Sequence, residues 1–227
     1  NRIQKIIPQT LLSCREAIRL ALERIKQEQV DTCWADAGQL LTPEWAHCGD
    51  AEWAGGTLMR CGYRIKIDAT PDEVWAPIGK IGGRNSYYYA QPLWRLRGWI
   101  DRISGGPGLG RGRSNLSGLS VGDAVDFWRV LEVVPPYRLM LLSEMKTPGD
   151  ALLEFEITSL GPNRSELKMI SRFVPRGLSG IIYWYVLYPF HQWVFSGMLK
   201  SIAELTGKRL SYSPERFTPK LHNNCAV

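Results

Sequence analysis

Apolar and polar residues alternate along four consecutive stretches, 124–133, 138–146, 151–158 and 166–174. Pro135-Pro136, Pro148-Gly149 and Gly161-Pro162-Asn163 punctuate the gaps between them. A period of two puts successive side chains on opposite faces, so each stretch predicts a strand. Leu153, Phe155 and Ile157 share a face, as do Leu167, Met169 and Phe173, while Glu154, Glu156, Lys168 and Arg172 point away. The short connections predict antiparallel neighbours with one face on a core and one in water. Tyr63, Ile65 and Ile67 predict an earlier strand over 59–69. Helical spacing shows in three places before the last strands. Ser13 and Glu16 form a capping box ahead of Ala17, Ile18, Ala21, Leu22 and Ile25, predicting a helix over 14–27. Thr70 is an N-cap with Pro71 in the first turn and Asp72 and Glu73 where the helix dipole favours anions, predicting a helix from 71 to about 81. Tyr87, Tyr88, Tyr89, Leu93, Trp94, Leu96, Trp99, Ile100 and Ile103 predict an amphipathic helix over 84–102.

The stretch 177–199 has no Asp, Glu, Lys or Arg. It is long enough to span a bilayer, which takes about 20 apolar residues. Its aromatic residues, Tyr183, Trp184, Tyr185, Tyr188, Phe190, Trp193 and Phe195, run throughout rather than gathering at two interfaces. Gly177, Ser179, Gly180, His191, Gln192, Ser196 and Gly197 dilute it further. The pattern therefore favours a rod gripped by the sheet. A sheet that must bury one face next to one long apolar helix curls round that helix.

Composition narrows the class without naming a function. In 227 residues, 44% are hydrophobic and 22% charged, as in an ordinary globular chain. The formal charge of +6 gathers at Arg95, Arg97, Arg102, Arg111 and Arg113 and again over 200–209. No nucleic-acid motif accompanies it, so a solvated surface is expected and no nucleic-acid partner. Contact of the first cluster with an anionic membrane surface stays open. Five cysteines (Cys14, Cys33, Cys48, Cys61 and Cys225) are widely spaced and odd in number, which fits free thiols in a cytoplasmic protein. His47, Cys48, Cys33 and Cys61 match no zinc knuckle, so no metal site is expected. The glycine run 105–112 follows a predicted helix and precedes a polar stretch, the reverse of a dinucleotide-binding turn, so it reads as a mobile loop.

Period is lost over 31–56, where Trp34, Trp45 and Trp53 mix with Gly, Pro and Asp. The chain thus divides into a strand-helix piece over 1–30, an ordered linker over 31–58, a main domain over 59–210 and a flexible tail over 211–227. The strand-helix piece is too small to fold alone.

Several blocks carry a resemblance. They are Gly82-Gly83 with Tyr87-Tyr88-Tyr89, Leu93-Trp94-Arg95-Leu96-Arg97-Gly98, Asp101 and Gly105-Gly106-Pro107-Gly108. Val121-Gly122-Asp123 precedes Asp126-Phe127-Trp128-Arg129-Val130, and Glu144-Met145-Lys146 precedes Pro148-Gly149. The last block runs from Arg172-Phe173 through Pro175-Arg176-Gly177-Leu178 and Tyr183-Trp184-Tyr185 to Pro189-Phe190-His191. Together they resemble a family of unknown function found C-terminal to atypical short-chain dehydrogenase/reductase domains in bacteria. That family is similar to the START/polyketide-cyclase (SRPBCC) superfamily. The resemblance implies an α+β helix-grip fold, a curved antiparallel sheet wrapped round a long C-terminal helix. It also implies that residues 1–30 are the remnant of an upstream Rossmann domain. No GxGxxG opens the chain, so NAD(P) is expected only in that upstream domain and no cofactor in this chain.

The resemblance further implies a hydrophobic ligand, such as a lipid, quinone or polyketide-like molecule, held between sheet and helix. Tyr87, Tyr88, Trp94, Trp128, Trp184, Tyr188, His191 and Trp193 are the expected lining, an aromatic set with few polar groups of the kind ligand pockets use. Two other readings stand beside it. One is an enzyme of cyclase or hydratase type, drawing on His191, Tyr87–Tyr89, Asp126, Glu144 or Arg172. The other is a structural domain packing on an upstream Rossmann domain or a second copy of the chain. Glu144, Glu154, Glu156 and Arg172 are expected on the wet face as cross-strand ion pairs, each contributing a few tenths to about 1 kcal/mol.

Overall fold

The computed structural model describes residues 12–26, 58–83, 87–109, 118–208 and 213–219. The chain divides into two compact units, Asn1–Trp34 and Ala35–Val227. In the first, helix α1 (Cys14–Lys26) starts at the expected capping box. Ser13 Oγ receives the Glu16 amide at 3.3 Å, and the Glu16 carboxylate receives the Ser13 amide at 2.9 Å. Its apolar side is not covered where its side chains are described, since Ile18 is exposed.

The described residues of the second unit form one seven-stranded antiparallel sheet and three helices. In chain order these are β1 (Met59–Ile67), α2 (Pro71–Ile78), α3 (Gln91–Ile103), β2 (Ala124–Val125), β3 (Trp128–Val134), β4 (Arg138–Ser143), β5 (Gly149–Gly161), β6 (Arg164–Pro175), α4 (Gly177–Leu205) and β7 (Glu215–Phe217). The sheet order is β2-β3-β4-β5-β6-β1-β7, so the first long strand returns beside the last. Register shifts at Val130/Glu132 and Ser159/Gly161 mark bulges, which bend the strands that carry them. Leu153, Phe155, Ile157, Leu167, Met169 and Phe173 all enter the buried core on the concave face, as their alternation predicts. Burying side chains of this size contributes roughly 1.5–3 kcal/mol each.

Helix α4 runs 29 residues, past the charge-free stretch, and takes in Lys200 and Glu204. It packs on β6 and β1. Its C-terminal half is gripped: Val194, Phe195, Met198, Leu199, Ile202 and Ala203 are buried. In its N-terminal half Leu178, Ile182, Tyr185, Val186 and Phe190 remain exposed, at three- and four-residue steps that make one stripe. Among the described residues no helix is long and apolar enough to cross a membrane.

Local details depart from the sequence reading for identifiable reasons. The stretch 124–133 is a tight hairpin rather than one strand. Asp126 takes a left-handed backbone (φ 56°), and Val125 comes to oppose Trp128. Asp tolerates that conformation better than most residues. Helix α3 starts at Gln91 because Tyr88 and Ala90 are also left-handed (φ 62° and 54°), so Tyr87–Tyr89 belong to a loop. Strand β4 stops at Ser143 instead of reaching 146, and the Lys146 amide is donated to the Asp101 carboxylate at 2.7 Å.

Residues 213–219, expected in a flexible tail, add an edge strand to β1. Phe217 lies over Gly62, where a Cβ would stand 2.8 Å from its ring. Arg216 stacks on Tyr188 at 5.1 Å. Gly105 and Gly108, expected in a mobile loop, fold back on α3. Asp101 accepts the Gly108 amide at 2.8 Å, and Leu109 fills the space left by Gly98.

The convex face holds a larger correction. Glu154 pairs with Arg138 and Arg172 at 2.7 and 2.8 Å, and Lys168 with Glu156 at 3.0 Å. Glu144 likewise pairs with Arg129 at 2.9 Å. These are ion pairs on the expected face, but Glu154 and Arg172 are only 3% and 5% exposed. They sit among Leu131, Met140 and Leu152, a second apolar cluster that keeps water from the middle of this face. Removing Glu154 takes from the buried Arg172 guanidinium the carboxylate at 2.8 Å, while Arg138 keeps Glu132 at 3.4 Å. Glu154→Ala is expected to lower unfolding free energy in urea by about 3–5 kcal/mol. Glu156→Ala should cost no more than about 1 kcal/mol, because Lys168 and Glu156 keep contact with water. Equal losses would refute the buried-triad account.

Candidate functional site

Because the sheet grips only the second half of α4, the first half spans a gap. Below it lies a cavity of about 370 Å³, within the range of roughly 300–1,000 Å³ typical of small-molecule sites. The concave sheet supplies its floor through Trp128, Ala151, Leu153, Ser171 and Phe173. Helix α3 forms one wall and α4 the other, while the turn from Met145 to Pro148 closes an end. Leu96, Ile100 and Phe190 line the cavity and are also exposed, so they mark its mouth between the two helices.

The walls are held by specific contacts. Asp126 Oδ2 accepts from the Gly83 amide at 3.1 Å and from the Tyr87 hydroxyl at 3.0 Å, tying the approach to α3 onto the β2–β3 hairpin. Burial raises the Asp126 pKa, against the two hydrogen bonds that favour its ionised form. Gly82 passes so close to Val125, with φ +85°, that no side chain fits there. Asp101 holds the other end of α3 through the Lys146 and Gly108 amides. Gly180 lets α4 start against the Pro148 carbonyl, and Gly197 receives the Tyr89 ring.

Of the eight residues named from sequence, Trp94, Trp128, Trp184 and His191 line the cavity. The other four lie elsewhere. Tyr87 is fully buried beneath Trp94 and Phe127 with its hydroxyl on Asp126, and burial drives its pKa well up. Tyr88 donates its hydroxyl to the Pro77 carbonyl at 2.8 Å. Tyr188 packs with Arg216, and Trp193 is 54% exposed with its ring edge against Tyr89. Residues four apart on one helix share a face, but Tyr188 and Trp193 fall on sides of α4 turned away from the cavity.

The sequence reading did not name Arg97, Asp101 or Ser171 as lining, though each had a signal. Trp94, Arg97 and Asp101 recur at i, i+3 and i+7 on one face of α3, and Ser171 falls between Met169 and Phe173 in the core-facing phase of β6. Arg97 falls in the basic cluster expected to be a solvated surface.

His191 stacks on Phe195 at 5.0 Å and meets Trp184 edge-on at 5.1 Å. Its Nδ1 is sealed from solvent without a hydrogen-bond partner. Burial, and then the positive charge of Arg97, push its pKa down to about 4, so the ring is neutral at pH 7. Trp128 Nε1 is also buried without a hydrogen bond; it approaches the Tyr87 hydroxyl but outside bonding geometry. Both rings line the cavity, while these two nitrogens are closed off from it.

Among the described residues no three His, Cys, Asp or Glu side chains gather where they could hold a metal. Cys61 is buried in β1, and burial pushes its thiol up to about 12. Cys33, Cys48 and His47 lie outside the described residues.

A curved antiparallel sheet gripping one long helix over an apolar cavity defines a helix-grip α+β protein. The chain belongs to the family described as "Protein of unknown function (DUF2867)", which matches residues 53–198. No curated protein matches it. Solved structures similar to it include a conserved protein from Geobacillus kaustophilus, at 17% identity and TM-score 0.39, covering 70% of this chain and 100% of that one. Norcoclaurine synthase from Thalictrum flavum aligns at 9% identity and TM-score 0.40, over 76% and 100%. The Zhui aromatase/cyclase from Streptomyces sp. R1128 aligns at 14% and 0.41, over 66% and 94%.

The low pKa of His191 has a stability consequence. In an unfolded chain the ring takes up its proton near 6.5, before the folded ring does near 4. Its contribution is complete above about pH 6.5 and is lost as pH falls from 6.5 towards 4. Urea midpoints for wild type and His191→Phe should diverge over that window. The wild type should lose about 1–3 kcal/mol that the variant keeps. Parallel pH profiles would contradict the burial of Nδ1.

Proposed function

We propose that the domain is a binding module for a hydrophobic small molecule of lipid, quinone or polyketide-like type, seated under the first half of α4. In the full protein it accompanies an NAD(P)-dependent reductase or epimerase-like domain of which residues 1–30 are the end, as the sequence resemblance implies. The observation that supports binding is the cavity itself, lined mainly by apolar and aromatic side chains with Arg97, Asp101, Lys146 and Ser171 among them. The enzyme reading has weaker support. Tyr88 and His191 do not share the cavity, and a neutral His with a pKa near 4 is a feeble base at pH 7.

Titration with Nile red, a neutral apolar dye, should give saturable one-to-one binding with quenching of tryptophan emission. Ala151→Trp, which fills the floor of the cavity, should weaken that binding at least tenfold while the circular dichroism spectrum stays unchanged. Non-saturable binding, or full affinity in a folded Ala151→Trp variant, would remove the proposal.

A further inference from the structure

Among the described residues no carboxylate pairs with Arg97, a cation in the lining of the cavity. It projects from the buried face of α3 and is half-buried. Its hydrogen bond within the described residues runs from Nε to the Met145 thioether at 3.2 Å, and it makes no ion pair there. A thioether is a weak acceptor, so the paired terminal N–H groups of the guanidinium have no strong protein partner. The only carboxylate among the described lining residues, Asp101, is 3% exposed and already receives the Lys146 and Gly108 amides. Lys146, the other lining cation, is an exposed residue with its side chain free of ion pairs. Two cations against one carboxylate leave the lining with a net single positive charge, and His191 adds none because it is neutral.

We infer that the occupant of this cavity is an amphipathic monocarboxylate, its apolar body against Trp94, Trp184 and Phe173 and its carboxylate received by the Arg97 guanidinium. This deepens the binding reading above and rests on it. A planar carboxylate matches the guanidinium fork with two parallel N–H donors, and a partly desolvated site strengthens each of them. A phosphate monoester, carrying nearly two charges, would bring more negative charge than the lining balances. Ser171, on the sheet floor and without a hydrogen bond to the described protein, offers a hydroxyl to a second polar group on the ligand.

The test uses the purified chain and measures displacement of Nile red by dodecanoate, dodecan-1-ol and dodecyl phosphate. Wild type should bind dodecanoate at least tenfold tighter than dodecanol and no weaker than dodecyl phosphate. Arg97→Met, which keeps the stem and its contact with Met145, should lower the ratio of dodecanoate to dodecanol affinity by about 10- to 100-fold. Arg97→Lys should keep an intermediate preference. Equal binding of alcohol and carboxylate by wild type would overturn the inference while leaving the cavity reading intact, provided Nile red still binds. Loss of the preference in Lys146→Gln but not in Arg97→Met would overturn the assignment to Arg97. A tenfold advantage for dodecyl phosphate would overturn the monoanion. Failure of all four probes would remove this inference and the cavity reading together.

Discussion

The structure depends on the burial of one half-helix. Phe195, Met198, Leu199, Ile202 and Ala203 fill the concavity formed by β1 and β6, with Tyr63 meeting Phe195 edge-on at 6.0 Å. A sheet this curved has no other way to remove its apolar face from water. Fixing those residues also fixes where the first half of α4 must travel. It leaves the sheet because Gly177, with φ 66°, turns the chain sharply out of β6, and Gly180 then crosses the Pro148 carbonyl at close range. The helix bridges two anchored ends, and the space beneath it is the cavity.

The site is shaped more by what holds its walls than by the side chains that face into it. Asp126 and Asp101 are both acidic, both largely buried, and both occupied by backbone amides, one at each end of α3. Placing carboxylates there costs desolvation, which their charge-assisted hydrogen bonds offset. The outcome is a rigid wall whose own acids are turned away from chemistry, while Arg97, between them, is left facing the cavity. The same economy of charge does not hold on the convex side, where Glu132 and Glu154 balance Arg138 and Arg172 beside Leu131, Met140 and Leu152.

Four of the eight aromatic and histidine residues expected in the lining are there, and the failures share a cause. The spacing of Tyr87 and Tyr88 predicts a helix, whereas two left-handed residues turn them into a loop whose hydroxyls are spent on Asp126 and the Pro77 carbonyl. Tyr188 and Trp193 lie on a helix that is apolar all round, and such a helix carries no stripe to tell which side will be covered. Ser171 and Arg97 were readable from phase alone.

Periodicity determined the strands β3 to β6, the caps of α1 and α2, the core-facing set from Leu153 to Phe173 and the existence of one long apolar helix. These are local properties, set by side-chain alternation and by hydrogen bonds within a few residues, so the order of residues is enough to specify them. Tertiary structure decided which half of that helix the sheet would grip, that Glu154 and Arg172 would be dry, that residues 215–217 would close the sheet edge, and that Arg97 would meet no carboxylate among the described residues. Each of these depends on which surfaces meet across more than a dozen residues of sequence. Burial and charge balance belong to the assembled surfaces, and no single segment carries them.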